Sequence, residues 1–316
     1  MQRRTFVVSA MVAALLLPLG AAAATKKTFV MVPKGVHPYY EPCYEGFKAA
    51  AKKYGVEVDK VDPQKFELPL QVKAIEELIA QRVDGIAISA LDDAGLVPVI
   101  AEATKAGIKV ITFDAPAPSS QALTYIGTDN KTAGYEAGRK MAELTKGKGK
   151  MVILQGGLGA ANLNLRTQGF KEAMAKFAPG VNIVEVVDVQ GDFSVATNKT
   201  EAILQTYPDL TAIFAVSAEG APAAAGVLRQ QKKAGKVLLG GFDDLKDTLE
   251  GVKDGTVAFC LVQKTFKMGW LSVEALLDAT KGKTLPKVTD TGVLFVTKGN
   301  VNSYMEEMKK EFAGNK

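Results

Sequence analysis

Short apolar runs rich in β-branched residues alternate with segments of helical periodicity along the chain beyond residue 25. The runs in the first half read TFVMVP, VEVDKV, DGIAISA, KVITFDA and LTYIGT, and those in the second half read KMVILQ, NIVEVVDV, LTAIFAVS, KVLLGGFD and VAFCLVQ. Between them apolar residues recur at helical spacing, for example at Tyr44, Phe47, Ala51 and Tyr54. This alternation predicts an α/β fold in which helices cover parallel sheets.

Each half of the chain carries its own series of strand and helix segments. A series of roughly 100 to 130 residues is enough for one sheet, so we predict two similar three-layer α/β/α lobes. No linker rich in proline, serine and glycine separates the halves, which favours a tight junction. The first crossing is predicted in IGTDNKTAGYEAG, where the chain passes Thr128 and Asp129 or Asn130 caps the next helix. The strand VLFVT and a helix near residues 300–312 close the chain.

Three predicted helix ends place glycine after a basic last turn, in KYGVEV, KAGIKV and KAGKVL. Glycine accepts the left-handed conformation that ends many helices, and lysine is favourable near the negative end of the helix dipole. We therefore expect Gly55, Gly107 and Gly235 to end helices.

The N-terminus has the three regions of a secretory signal peptide. Arginines at positions 3 and 4 precede an apolar run over residues 6–17, and small residues follow up to Ala24. A membrane-spanning helix needs about 20 apolar residues, so we predict a signal peptide over residues 1–24 that is cleaved near Ala24. The twin arginines leave Sec and Tat export both open. The mature protein is expected in the periplasm.

The charge and cysteine content narrow the function further. The net charge is +5, and loss of two arginines with the signal peptide leaves 5 − 2 = +3, with no block of like charges to suggest nucleic acid as a partner. Cys43 and Cys260 are the two cysteines. After export they can form a disulfide, although a predicted helix and a predicted strand contain them, and we favour two buried small apolar residues.

Ligand contacts in an open α/β sheet come from loops at the carboxyl ends of strands. The first such loop, PKGVHPYYEP, offers the rings of Tyr39 and Tyr40 for the apolar face of a sugar. These tyrosines alternatively only begin a helix and enter the core. His37 is the one histidine in the sequence, and we interpret it as a binding or capping residue rather than a catalytic one.

Two later strands end in carboxylates. Asp114 follows KVITF and Asp243 follows KVLLGGF, and each can accept charge-assisted hydrogen bonds from vicinal hydroxyls. The alternatives are helix capping and a glycosidase acid and nucleophile. Arg166 can direct its guanidinium into the same cleft and donate two bonds to ligand oxygens.

Motifs for catalysis and cofactors do not appear in the sequence. QGGLGAANLNLRTQGF resembles a dinucleotide-binding loop, but the third glycine position after Gly157 and Gly159 holds Asn162. There is no Walker lysine, C-x-x-C, H-E-x-x-H or G-x-S-x-G motif. We therefore predict a protein that is not an enzyme, with no cofactor and no metal site.

Taken together, the residues resemble the ribose-binding branch of the type I periplasmic binding proteins over nearly the whole mature chain. The segments that carry the resemblance are PYYEPCYEGFKAAAKKYGVEV, QVKAIEELIAQRVDGIAISALD, AGIKVITFDAP, YIGTDNKTAGYEAG, RTQGFKEAM, YPDLTAIFAVS, VLLGGFDD, LEGVKDGTVAFCLVQ and DTGVLFVTKGNV. So many matches in order make the resemblance specific.

The resemblance implies a ligand cleft between two lobes joined by three hinge crossovers, near Thr128, Gln263 and Asp290. The lobes would be residues 25–128 plus 264–290 and residues 129–263 plus 291–316. It also implies a monomer that delivers a sugar or polyol to an ABC permease and in some cases presents it to a chemoreceptor. The ligand-binding positions that it implies are Tyr39, Tyr40, Asp114, Arg166, Phe193, Asp243 and Gln263.

Departures from the family pattern indicate a retuned pocket. Ala115 replaces a family arginine, His37 replaces an asparagine, and Ser217, Ala218 and Glu219 stand where the family has Asn-Asp. We add His37, Ser217 and Glu219 to the predicted site and leave the ligand open between a pentose, a sugar alcohol and a furanose-like signal such as autoinducer-2. The alternatives are a secreted carbohydrate enzyme, a receptor-only sensor with no transport role, and a LacI-type regulator, which would need an N-terminal helix-turn-helix.

Overall fold

The computed structural model describes residues 26–314, and side chains for residues 26–310. The predicted signal peptide lies outside these residues and stays a prediction. Within residues 26–314 no helix is long and apolar enough to cross a membrane.

The strands form two sheets of six strands each. They are β1 (Thr28–Val32), β2 (Glu57–Lys60), β3 (Gly85–Ile88), β4 (Lys109–Phe113), β5 (Tyr125–Gly127), β6 (Lys148–Gln155), β7 (Gly180–Asp188), β8 (Ala212–Ala215), β9 (Leu238–Phe242), β10 (Phe259–Gln263), β11 (Val288–Asp290) and β12 (Val293–Thr297). The first sheet has the order β11-β5-β4-β3-β1-β2, and the second has β12-β10-β9-β8-β6-β7. The predicted α/β fold with two parallel-sheet domains is confirmed.

Helices cover both faces of each sheet. They are α1 (Tyr40–Tyr54), α2 (Leu68–Gln81), α3 (Val97–Lys105), α4 (Asn130–Thr145), α5 (Ala161–Phe177), α6 (Phe193–Thr206), α7 (Gly220–Gln230), α8 (Lys246–Asp254), α9 (Thr265–Thr280) and α10 (Val301–Gly314). Each sheet has one apolar cluster on either face. The central strands are buried on both sides, which explains their nearly continuous apolar sequences.

The chain passes from one sheet to the other after β5, β10 and β11. These crossovers lie side by side and are bonded to one another. Thr128 Oγ1 donates to Gln263 Oε1 over 2.9 Å, and the backbone N–H of Asp129 donates to Asp290 Oδ1 over 3.0 Å. The two sheets therefore meet at one compact junction.

The last strand departs from the predicted parallel pattern. β12 is antiparallel to β10, with Gln263 opposite Val293. Only Thr291 and Gly292 separate β11 from β12, so β12 begins at the junction, where β10 ends. A strand that begins there can only run away from the junction.

Most of the predicted local signals hold, and two are corrected. Asp129 caps α4 by accepting from the N–H of Thr132, and Gly55 ends α1 with a φ of 70°. The expectation for Gly235 is wrong, because α7 ends at Gln230 and Gly235 lies in the loop beyond it. β11 was not predicted as a strand, since its three residues are too few to show a period. Cys43 and Cys260 are buried free thiols.

Candidate functional site

A cleft lies between the two sheets at the carboxyl ends of their strands. Its accessible volume is about 50 Å³, and about 460 Å³ when the open solvent at its mouth is included. The lining residues come from both sheets and their helices: Lys34, His37, Tyr39, Tyr40, Phe66, Leu91, Asp114, Gly156, Ala160, Asn162, Leu163, Arg166, Gly191, Ser217, Ala218, Glu219, Asp243 and Gln263. All the predicted site residues except Phe193 are among them.

Asp114 lies on the first-sheet side of the cleft, directly after β4. Its Oδ1 accepts from the hydroxyl of Tyr39 over 2.8 Å. Its Oδ2 accepts from Ser89 Oγ over 2.6 Å and from the hydroxyl of Tyr40 over 3.3 Å. The carboxylate is therefore held in one orientation by three hydroxyl groups.

The two tyrosines belong both to the cleft and to the core. Tyr39 and Tyr40 line the cleft and are also part of the apolar cluster on one face of the first sheet. Their rings meet edge to face, with centroids 5.1 Å apart and an angle of 84°. Both hydroxyl protons are directed at Asp114, so the tyrosine oxygens can only accept a further hydrogen bond.

Asp243 lies on the opposite side, directly after β9. Its Oδ1 accepts from Gln263 Nε2 over 2.9 Å, and Gln263 Oε1 in turn accepts from Thr128 at the first crossover. Like Asp114, Asp243 has a left-handed backbone, with φ values of 57° and 69° respectively. Within residues 26–310 no backbone N–H of a helix donates to either carboxylate, which argues against the helix-capping alternative.

Arg166 extends from α5 into the cleft and is 1% exposed. Its Nε donates to Asn130 Oδ1 over 2.8 Å, its Nη1 donates to the carbonyl of Val216 over 3.0 Å, and its guanidinium lies 4.1 Å above the ring of Phe242. Its buried Nη2 has no acceptor in the part of the chain that the structure describes. A buried donor of this kind is costly unless a ligand or water pairs with it.

His37 offers a second free donor from the other lobe. Its Nδ1 accepts from the backbone N–H of Tyr39 over 3.2 Å, so the neutral ring carries its proton on Nε2. Burial lowers the pKa of His37 to about 4, although Asp114 acts in the opposite direction. Nε2 is buried and unpaired among the described side chains.

Ser217 and Glu219 follow β8 and add another acid to the cleft. Ser217 Oγ donates to Glu219 Oε1 over 2.5 Å. Glu219 is 3% exposed, and this burial raises its pKa above the ordinary value. The second-sheet side thus presents two carboxylates, those of Glu219 and Asp243, beside Arg166.

Contacts between the two lobes close the mouth of the cleft. The ring of Phe193 lies parallel to that of His37 with centroids 5.4 Å apart. The ring of Phe66 fits against Gly35 on its own lobe and Gly191 on the other, where a Cβ at either glycine would overlap it. Phe193 is 39% exposed and is not among the lining residues of the cleft, and its predicted stacking on a ligand stays a prediction.

Sequence reasoning missed one charged residue of the cleft. Lys34 is 5% exposed, and its Nζ donates to Asn162 Oδ1 over 3.1 Å across the cleft. Burial lowers the pKa of Lys34. Lys34 stands two positions after β1, so the rule that found Asp114 and Asp243 would have found it too. Asn162 interrupted the glycine motif, and nothing in the sequence marks it as a partner of Lys34.

Comparison with known proteins decides the family. Residues 28–284 match the family described as periplasmic binding protein domain. The chain belongs to this family. The identification agrees with the resemblance seen in the sequence and with the two sheets that face one cleft.

Structures of relatives of this periplasmic binding protein have been solved, one of them in complex with a sugar. A solute-binding protein of an ABC transporter from Burkholderia graminis C4D1M, in complex with D-arabinose, is 40% identical, with a TM-score of 0.84 over 88% of this chain and 97% of that chain. GanP, a glucose-galactose binding protein from Geobacillus stearothermophilus, is 35% identical, with a TM-score of 0.83 over 87% and 98%.

Among characterised sequences, the ribose import binding protein RbsB of Bacillus subtilis (strain 168) is 29% identical over 252 residues, 79% of this chain and 80% of that protein. These homologues are named as binding and transport proteins. The protein is therefore a binding protein and not an enzyme.

The buried acid Asp243 makes the stability of this binding protein depend on pH. Burial raises the pKa of Asp243 from 3.8 to about 7, against the opposing effect of Arg166. From pH 4 to 7 the folded state keeps a proton that the unfolded state has released, so this group's contribution to stability falls as pH rises. We expect Asp243→Asn to gain stability relative to the native protein across that range, by at most about 1.4 kcal/mol per pH unit.

Urea unfolding of the ligand-free protein at several pH values measures this difference. His37, whose pKa is lowered, has the opposite dependence, so the comparison must be between variants and not between pH values of one protein. Asp254→Asn is the control, because the pKa of Asp254 is lowered and its difference from the native protein should stay flat over the range. If the difference in free energy of unfolding between Asp243→Asn and the native protein does not change with pH, the pKa of Asp243 is not raised in the folded state.

Proposed function

We propose that this protein is the solute-binding component of an ABC importer and that it binds a neutral monosaccharide or sugar alcohol in the cleft. The observation that carries the proposal is that one cleft contains both unsatisfied donors and acidic acceptors. Two buried donors, His37 Nε2 and Arg166 Nη2, have no partner among the described residues, and the carboxyl groups of Asp114, Asp243 and Glu219 line the same cleft. A hydroxyl group both donates and accepts, so a ring of hydroxyls satisfies donors and acceptors together.

The charge of the cleft favours a neutral ligand. Three carboxyl groups and two basic side chains, Lys34 and Arg166, line the cleft. Burial raises the pKa of Asp243 and of Glu219 and lowers that of Lys34, so the neutral forms are favoured and the cleft has little net charge to attract an ion. The solved relative with D-arabinose and the relatives named for ribose and for glucose and galactose support an aldopentose or aldohexose in particular.

The proposed binding event joins two lobes. One comprises residues 25–128 plus 264–290, and the other residues 129–263 plus 291–316, with hinge bending at the three crossovers. The ligand holds Asp114 and the tyrosines on one side and Arg166 and Asp243 on the other. Closure is favoured only by contacts that the open form lacks. The closed protein, exported to the periplasm, then delivers the sugar to the permease subunits.

A thermal-shift screen of the purified mature protein tests the ligand class. The panel is D-ribose, D-arabinose, D-xylose, D-galactose, D-glucose and the pentitols, each at a concentration too low for general osmolyte stabilisation. A ligand present at about 100 times its dissociation constant adds roughly 2.7 kcal/mol to the stability of the folded state. We expect at least one aldose to raise the melting temperature without being turned over. If no compound in the panel does so, carbohydrate is the wrong ligand class.

A further inference from the structure

A chain of hydrogen bonds behind the cleft joins the two sides of the candidate site. Arg166 Nε donates to Asn130 Oδ1 over 2.8 Å. Asn130 Nδ2 donates to the hydroxyl of Tyr125 over 3.0 Å, and that hydroxyl donates to the backbone carbonyl of Asp114 over 2.9 Å. The chain therefore runs from the guanidinium on one side to the strand-end acid on the other.

The number of protons fixes the direction of every bond in this chain. The Tyr125 hydroxyl has one proton and lies near two carbonyls, those of Asp114 and of Thr128. Asn130 Nδ2 already donates to the carbonyl of Thr128 over 2.9 Å, so a tyrosine proton directed at Asp114 gives each of the two carbonyls a donor. The amide of Asn130 cannot flip, because its NH₂ group would then face the N–H of Arg166.

The linking residues are buried, and they lie at the first crossover rather than in the cleft. Tyr125 is 8% exposed and Asn130 is 2% exposed, and the lining of the cleft includes neither. Tyr125 begins β5 of the first sheet, and Asn130 begins α4, which packs on the second. A change of backbone conformation at the first crossover would therefore act on both Arg166 and Asp114.

We infer that Tyr125 and Asn130 are positioning residues for ligand binding, which set Arg166 and Asp114 relative to each other through this relay although neither touches the ligand. The inference rests on the proposed function for the existence of a ligand, whereas the hydrogen bonds of the relay are observed in the structure. Loss of either link frees the guanidinium or the turn at Asp114 to leave the arrangement that two lobes need in order to share one sugar.

Two single substitutions and their combination test the relay. Tyr125→Phe removes one oxygen, and Asn130→Ala removes the acceptor of Arg166. With the aldose that stabilises the native protein most in the panel, we expect each to raise the dissociation constant about tenfold, as for the loss of one hydrogen bond. The double variant should lose little more affinity than the weaker-binding single variant, because either substitution alone already interrupts the same chain of hydrogen bonds.

The matched control is Tyr207→Phe, whose hydroxyl donates to Glu185 on the outer surface and should leave the dissociation constant unchanged. Calorimetric titration gives the constants, and the melting temperature of the ligand-free proteins separates positioning from general support of the fold. A lower melting temperature with an unchanged dissociation constant would overturn the inference. So would losses that multiply in the double variant.

A measurement without ligand distinguishes failure of the relay from failure of the proposed function. The Nε–H resonance of Arg166, assigned by its absence in Arg166→Lys, should move in both Asn130→Ala and Tyr125→Phe. If no sugar binds the native protein, the ligand class is wrong, and this resonance still decides the relay. An unmoved resonance in Tyr125→Phe would show that Tyr125 does not influence the guanidinium.

Discussion

Replacing Arg166 with alanine is expected to weaken binding of the proposed sugar by about 100-fold or more, the largest effect of any single change in the cleft. The substitution removes the free Nη2 donor and also leaves Asn130 Oδ1 and the carbonyl of Val216 without their donor. Burial of unpaired polar atoms adds a loss of stability of about 1 to 3 kcal/mol. Arg166→Lys should restore little of the lost affinity, because the lysine ammonium group cannot reproduce the planar arrangement of N–H donors in a guanidinium.

The control for this prediction is Arg229→Ala. Arg229 lies on α7, and its Nη2 pairs with Asp254 over 2.9 Å at the surface, where its side chain is 37% exposed. Exposed pairs of this kind contribute about 0 to 1 kcal/mol, so binding should be unchanged. Titrations are made well below the melting temperature of each variant. Equal dissociation constants for Arg166→Ala and the native protein would show that the guanidinium does not contribute to ligand binding.

The strand-end rule explains how much of the candidate site could be predicted from the sequence. Residues that follow a recognisable strand, such as Asp114 and Asp243, must lie at the same edge of their sheets, and local sequence fixes that position. The same rule also selects Lys34, which follows β1 and which the sequence analysis did not include in the site. Arg166, on a helix after a glycine-rich turn, also lines the cleft.

Contacts that depend on the approach of the two lobes could not be predicted in this way. Phe193 is predicted to contact the ligand, and that stays a prediction, whereas its parallel stacking on His37 of the other lobe is visible only in the structure. The relay from Arg166 to Asp114 depends on Tyr125 and Asn130, which read in the sequence as a strand residue and a helix cap. Such roles follow from three-dimensional placement and not from residue type or spacing.

The close approach of helix pairs is likewise invisible in the sequence, and it has a repeated structural basis. Gly46 of α1 packs on the carbonyl of Phe266, and Gly269 of α9 packs on the carbonyl of Cys43. In the other lobe, Gly134 of α4 meets the carbonyl of Arg166 in the same way. Each domain thus brings two helices together at positions where only a hydrogen fits.

Gly269→Ala is therefore expected to lower the free energy of unfolding by about 3 kcal/mol, at the upper end of ordinary overpacking. The added Cβ would overlap the backbone carbonyl of Cys43 and crowd the backbone nitrogen of Phe47, and backbone atoms inside a helix cannot turn aside as a flexible side chain can. Urea unfolding measures the change.

Gly226→Ala is the matched control, because Gly226 is also inside a helix but an added Cβ there meets nothing within 4 Å. Its higher helix propensity should make this variant more stable by up to about 1 kcal/mol. The two variants carry the same chemical change, so their difference isolates the contact between α1 and α9. Equal stability of the two variants would mean that these helices do not pack backbone against backbone.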